Sequence, residues 1–254
     1  MAPLIELDSA SVAAIDGRHV RAVALQGVRM EYVAGVLART GQSAAGGRAL
    51  VVGSGRGLVA AGLRDLGFDV LAVDPSDAAT AMARQAYGEA GITHRTAPAE
   101  DLGLTDERFD LAYYADTFEI TSELGPVLDQ AARALRPGGV LVYDTVTRTL
   151  LSRLVYLGAF QAVPMTRIMP PGRYAAARLR KPAELIVALE HHGLRNADIC
   201  EFKPTDPRSL LRAVMARRQG KIGDAQIPSI VDFELSPGSR VHVTYLGFAV
   251  ADQP

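Results

Sequence analysis

Three glycines at alternate positions, Gly53, Gly55 and Gly57, stand between two apolar runs, and the second run ends on an acid, Asp74. A glycine loop of this kind lets backbone approach a ligand closely, with the N–H groups of the next helix facing it. Asp74 lies 21 residues beyond Gly53 and can accept hydrogen bonds from both hydroxyls of a ribose. The pair therefore points to a nucleotide-bearing ligand. A dinucleotide fingerprint reads G-x-G-x-x-G, but Gly55 is followed by Arg56-Gly57-Leu58-Val59, so the third glycine is misplaced. A nicotinamide-dependent dehydrogenase is accordingly disfavoured.

The elements that must position these residues alternate along the chain. "RALVVG" (48–53), "DVLAVD" (69–74), "FDLAYYA" (109–115) and "VLVYDTV" (140–146) read as strands buried on both faces. Helical patterns separate them at 58–67, at 76–91 behind the N-cap Ser76, and at 124–139, which Pro137-Gly138-Gly139 stops. Alternation of this kind implies a parallel sheet with right-handed crossovers. One or two helices precede it, with 28–40 the clearest, and 208–220 is helical. A long final strand at 240–252 has no helix after it and is expected to close the sheet edge as an antiparallel partner. Residues 147–181, apolar but broken by glycine and proline, read as an insertion over the ligand face. The expected organisation is one domain: N-terminal helices (1–47), a cofactor-binding core (48–146), a lid (147–181) and a sheet-completing region (182–254).

Composition narrows the function classes. With 254 residues and 48% hydrophobic content the chain can bury a substantial core. A net charge of −1 supplies no general field for nucleic acid or an anionic membrane. The single cysteine, Cys200, excludes an internal disulfide framework and a multi-cysteine metal site. No basic leader and no run of 18 apolar residues is read in the sequence, so a cytoplasmic protein without a membrane span is expected.

The four ligand-side segments together resemble the class I S-adenosylmethionine-dependent methyltransferases: the glycine loop, Asp74, "APAEDL" (97–102) ahead of Phe109-Asp110, and "LRPGG" (135–139). From about residue 20 onward the layout is similar to the 3-demethylubiquinone O-methyltransferase family. "VRMEYV" (28–33), "DTFEI" (116–120), "PPGRYAAARLRKPAEL" (170–185) and "LSPGSRVHVTYLGFAV" (235–250) carry that likeness. The resemblance implies a Rossmann-like, mostly parallel seven-stranded α/β sheet with helices on both faces and an antiparallel C-terminal edge strand. It implies S-adenosylmethionine as methyl donor, S-adenosylhomocysteine as product, and a hydroxyl on a small, fairly apolar acceptor as target. Cofactor contacts fall on Gly53, Ser54, Gly55, Gly57, Asp74, Pro75, Ala99, Glu100 and Ala115, with Arg29 on the cofactor carboxylate. A guanidinium fork suits a carboxylate.

Three departures from that family bear on the chemistry. Val51 stands where the loop usually begins with an acid. The E-x-x-E-H pattern survives only as Asp116 and Glu119, without its histidine, so a divalent metal site would be incomplete and none is expected. Arg173-Tyr174-Ala175 replaces a histidine and aspartate near the substrate. Tyr174, Glu119, Asp116 or solvent is left to take the acceptor proton. A chain that binds the cofactor without methylating, or that promotes a cyclisation, is the competing reading. His94 is expected at the surface, His191 and His192 at a helix end, His242 within the last strand. The 150–163 segment covers the pocket, with weak or no membrane contact expected from its few basic residues. A homodimer is left open.

Overall fold

The apolar runs become strands because each sends alternate side chains to two buried faces. In β1 (Arg48–Val52), Ala49 and Val51 pack with Leu25, Val28 and Leu63, while Leu50 and Val52 pack on the other face with Leu128 and Leu185. The structure, a computed structural model, describes residues 4–11 and 13–252. The first three residues of the segment read for a leader lie outside the described residues.

Eight strands form one sheet: β1, β2 (Asp69–Asp74), β3 (Thr93–Thr96), β4 (Phe109–Tyr114), β5 (Leu135–Val146), β6 (Leu194–Pro204), β7 (Phe233–Ser236) and β8 (Thr244–Ala251). Their spatial order is β3-β2-β1-β4-β5-β8-β6-β7. The first five are parallel, whereas β8 runs antiparallel to β5 and β6. The Rossmann-like α/β class is as expected, with two differences in detail. Among the described residues there are eight strands rather than seven, and the last of them lies between β5 and β6 instead of at an edge. The edges are β3 and β7, each of four residues. Short polar strands such as "THRT" carry too little apolar pattern to be read locally. The continuous apolar run of β8 fits an interior position.

Helix α1 (Gly17–Thr40) is one long helix, capped by the Asp16 carboxylate, which accepts from the Arg18 and His19 N–H groups. With α2 (Leu58–Asp65) it covers one sheet face. On the other face lie α4 (Leu124–Ala134) and α6 (Pro182–His191). Helix α3 (Asp77–Tyr87) starts at Ser76, whose side chain accepts from the Ala79 N–H, as its N-cap reading required. The 124–139 segment ends its helix at Ala134, and "LRPGG" already belongs to β5. In the insertion a short α5 (Leu150–Ser152) leads into a π-helix, Arg153–Ala162. With α7 (Pro207–Arg218) these pack around Ile15, Val20 and Val146 beyond the carboxyl ends of the strands. π-helical turns are rare and concentrate at functional sites. Among the described residues no helix is long and apolar enough to cross a membrane.

Candidate functional site

The glycine loop is shaped by what crowds it. Gly53 has φ +74°, and a Cβ there would lie 2.4 Å from the Ala115 carbonyl oxygen and 2.6 Å from Thr117 Oγ1, so only glycine fits beneath the end of β4. The Gly53 and Ser54 N–H groups both donate to the Val73 carbonyl, at 2.9 and 3.1 Å, tying the loop to β2. The Gly55 N–H donates to Asp74 Oδ2 at 2.8 Å, and the Ser76 N–H to Oδ1 at 3.0 Å. Loop and acid are therefore one unit, as their spacing suggested.

That acid is covered. Arg18, from the first turn of α1, donates through Nη1 to Asp74 Oδ1 at 3.0 Å and through Nη2 to Oδ2. Asp8 flanks the same guanidinium at 3.4 Å. Asp74 is left 1% exposed. Beside it opens a cavity of about 290 Å³ whose walls include Gly53, Pro75, Ala99, Glu100 and Ala115, five of the expected cofactor residues, together with Arg18 and Arg173. Ser54 and Gly55 line a narrower adjoining space with Arg29 and His19. Gly57 lies behind, at the N-cap of α2, against Tyr87 and Ala83.

Arg29 is buried rather than lying at the helix surface. Its Nη2 donates to Asp116 Oδ2 at 2.7 Å and to Asp144 Oδ1 at 2.8 Å, while Nε has no partner. Two strands away from Val51 stands a buried acid. Asp144 lies toward the end of β5, and the Tyr113 hydroxyl donates to its Oδ2 at 2.9 Å. Burial pushes Asp144 up to about 6, against the opposing pull of Arg29.

Asp116 and Glu119 do not share a helix; they sit on the turn after β4, with Asp116 held at φ +46°. A non-glycine residue in that region is uncommon and tends to mark a constrained site. Both are buried, and Tyr174 joins them through a set of contacts invisible in the sequence. Arg21 of α1 donates from Nε to Asp116 Oδ1 at 3.1 Å, also from Nη2, and from Nη1 to the Tyr156 hydroxyl. Tyr156, on the π-helix, meets the Tyr174 ring edge-on at 5.0 Å. Gln161, one turn on, clamps the Tyr174 backbone, its Oε1 accepting from N–H at 2.6 Å and its Nε2 donating to the carbonyl at 3.1 Å.

The three candidate proton acceptors differ in their electrostatics. Burial alone would raise Asp116, but Arg21 and Arg29 outweigh it and hold the group far below the usual carboxylate range. Burial keeps the Tyr174 hydroxyl protonated far above neutral pH. Burial, reinforced by the Asp116 charge, pushes Glu119 up to about 8. Its Oε2 accepts from Thr145 Oγ1 at 2.9 Å, and Oε1 has no partner. Of the three, only Glu119 changes charge near neutral pH.

A second cavity, about 520 Å³, lies between α1, the π-helix, α7 and the ends of β6 and β8, with Arg21 and Tyr156 in its wall. Its remaining lining is mainly apolar, including Val20, Phe160, Ile168 and Val214. His242 lines its far end, ahead of β8 rather than within it, with Nδ1 3.0 Å from Glu201 Oε1. His94 is 8% exposed within β3, not at the surface, because Arg84 and α3 fold over it. His192 ends α6 and meets Asp129 at 2.8 Å. Among the described residues, no cluster of three or more His, Cys, Asp or Glu is placed to hold a metal.

Sequence reasoning missed Arg18, Arg21, His19, Asp144 and Tyr156. Two signals were present: an acid inside the apolar run "VLVYDTV", and arginines at 18, 21 and 29 of a single long helix.

Comparisons with known proteins bear on the family and the fold. A family model described as a methyltransferase domain matches residues 50–143. A ubiquinone biosynthesis O-methyltransferase of Sinorhizobium fredii is 30% identical over 153 residues, 59% of this chain and 61% of that protein, so the match spans about three-fifths of that relative's length. One of Xylella fastidiosa is 32% identical over 197 residues, covering 75% of this chain and 76% of that protein. The fold is also that of a magnesium protoporphyrin IX methyltransferase from Synechocystis solved with bound S-adenosylhomocysteine, with TM-score 0.57, 17% identity, and coverage of 94% of this chain and 85% of that one. The chain belongs to the family of the ubiquinone biosynthesis O-methyltransferases, within the class I S-adenosylmethionine-dependent methyltransferases.

Proposed function

We propose that the protein moves the methyl group of S-adenosylmethionine to a hydroxyl oxygen of a small, fairly apolar acceptor, phenolic, quinol or secondary-metabolite in type. The observation that carries this reading is the wall of Arg21, Asp116 and Tyr156 standing between the glycine-loop side and the apolar 520 Å³ cavity. In this reading Asp74, the loop, Pro75, Ala99, Glu100 and Ala115 hold the adenosine. Arg29, which lines the space beside Ser54 and whose Nε has no partner among the described residues, holds the carboxylate end. The bound cofactor supplies an electrophilic methyl carbon. The 147–181 insertion is the lid, and closing it excludes water and fixes the acceptor, which supplies much of the rate.

Glu119 is the proton acceptor in this scheme. Fully buried, it takes the hydroxyl proton by relay through Thr145 and water, while Asp116, locked as a carboxylate, orients Arg21 and Arg29. Relatives named as O-methyltransferases support an oxygen target. The low net charge favours a neutral small molecule over nucleic acid as partner, and a cytoplasmic setting completes the reading.

The test is incubation with S-adenosylmethionine and a panel of phenols and quinols, followed by assay of S-adenosylhomocysteine and the O-methyl product. Coverage of Asp74 by Arg18 favours a second reading, a ligand-binding protein without methyl transfer. Binding of S-adenosylhomocysteine with no turnover on any acceptor would select it.

A further inference from the structure

Arg21 occupies a position that the methyl-transfer reading does not by itself explain. It is 7% exposed, yet its guanidinium reaches both sides of the wall. Nε and Nη2 bind Asp116, which lines the glycine-loop side, and Nη1 donates to Tyr156, which with Arg21 lines the apolar cavity. Asp116 is shared with Arg29, and Asp144 is taken by Arg29 and Tyr113, 4.0 Å from the nearest Arg21 nitrogen. Arg21 thus holds one oxygen of a carboxylate whose other oxygen serves Arg29. On the cavity side its partner is neutral, the hydroxyl of Tyr156. A phenolic oxygen from the wall of that cavity therefore already accepts from this cation. The other groups facing Arg21 are Tyr174 and Glu119. No histidine is hydrogen-bonded to this cluster among the described residues.

Resting on the methyl-transfer reading, we propose that Arg21 is the counter-cation of the acceptor's reacting oxygen. It displaces or shares its Tyr156 contact to bind an oxyanion. The protein then selects apolar acceptors with an acidic hydroxyl, phenols and enols, over alkyl alcohols. The step balances without a proton transfer in the transition state. The hydroxyl proton has already passed to Glu119 or water. An oxygen lone pair forms the new O–C bond, the S–C bond breaks, and its electron pair stays on sulfur as a neutral thioether. Charge on the oxyanion and on the sulfonium disappears together. A fixed guanidinium at the edge of an apolar cavity stabilises a bound anion better than the same cation does in water.

The experiment uses the full chain saturated with S-adenosylhomocysteine, so that no turnover occurs, titrated with 4-nitrophenol, whose anion is coloured. The bound phenol is expected to ionise about one pH unit or more below the free compound. Arg21→Met is expected to abolish that shift while S-adenosylhomocysteine affinity and the circular dichroism spectrum stay near wild type. Arg21→Lys is expected to restore part of it. Ionisation at or above the free value in the wild-type complex overturns the proposal, as does an unchanged shift in Arg21→Met or no binding of the phenol. Because the wild-type measurement needs no variant, misfolding of Arg21→Met does not shield the idea. Turnover in the presence of S-adenosylmethionine is scored separately. An intact shift with no methylated product sinks the methyl-transfer reading, and methylation without a shift sinks the role of Arg21.

Discussion

Arg18 and Asp74 form a two-pronged ion pair directly over the glycine loop, with each carboxylate oxygen also accepting one backbone N–H. Both oxygens that would meet a ribose are thus engaged by an arginine whose alternative partner, Asp8, lies 3.4 Å away. Cofactor entry must move that guanidinium aside. Arg18→Met is expected to tighten S-adenosylhomocysteine binding by roughly tenfold, about 1.4 kcal/mol, in titration calorimetry. Weaker binding would instead make Arg18 a cofactor contact.

Asp74→Asn tests the ribose acid itself. It keeps an acceptor for one loop N–H but removes the charge and one acceptor. Loss of a charged hydrogen bond to a ligand is worth about 1.5–3 kcal/mol, so the dissociation constant for S-adenosylhomocysteine should rise at least tenfold. An unchanged affinity would move the nucleoside elsewhere.

Glu119 links pH to both rate and stability. Its folded-state value of about 8 is raised above the ordinary carboxylate range by burial and by Asp116. The native state therefore holds a proton that the unfolded state releases near pH 4.5, and folding stability from this group falls as pH rises from about 4.5 to 8. Glu119→Gln should flatten that slope in denaturant titrations. In steady-state assays the wild type should gain activity up to about pH 8, and Glu119→Gln should lose that limb along with 10²–10⁴-fold in rate, about the range for a general base. A retained limb would exonerate Glu119.

Removing Arg29 leaves Asp144, fully buried on β5, without its cation. Breaking a buried pair on one side costs about 3–5 kcal/mol. Chemical unfolding of Arg29→Met should show that loss, and Arg29→Met combined with Asp144→Asn should recover part of it. An additive double variant would mean that the two residues do not share this energy.

Val214 lines the large apolar cavity from α7, away from the glycine loop. Val214→Trp should fill it. The expected signature is a KM for phenolic acceptors raised tenfold or more with S-adenosylhomocysteine affinity within about twofold, since remote sites behave independently. An unaltered KM would place the acceptor outside this cavity.

Local chemistry in the sequence was enough for the loop, its acid and four of the five parallel strands, all but the short polar β3. Gly53, Gly55 and Asp74 are read from φ freedom and spacing. The strands that carry them are apolar on both faces, which only a two-sided burial explains. The pair Asp116 and Glu119 was visible as two acids three apart, but their opposite electrostatics were not. Arg21 and Arg29, 95 and 87 residues away from Asp116 in the chain, hold that acid down, whereas burial beside the Asp116 charge pushes Glu119 up. Likewise Val51 announced a missing acid, and only the tertiary structure showed the buried Asp144 two strands away, paired with Arg29. Arg18 on Asp74, Tyr156 on Arg21 and the interior seat of β8 share this origin. Periodicity and turn chemistry act over a few residues, whereas partners for buried charges and for strand edges are settled only when distant segments are brought together.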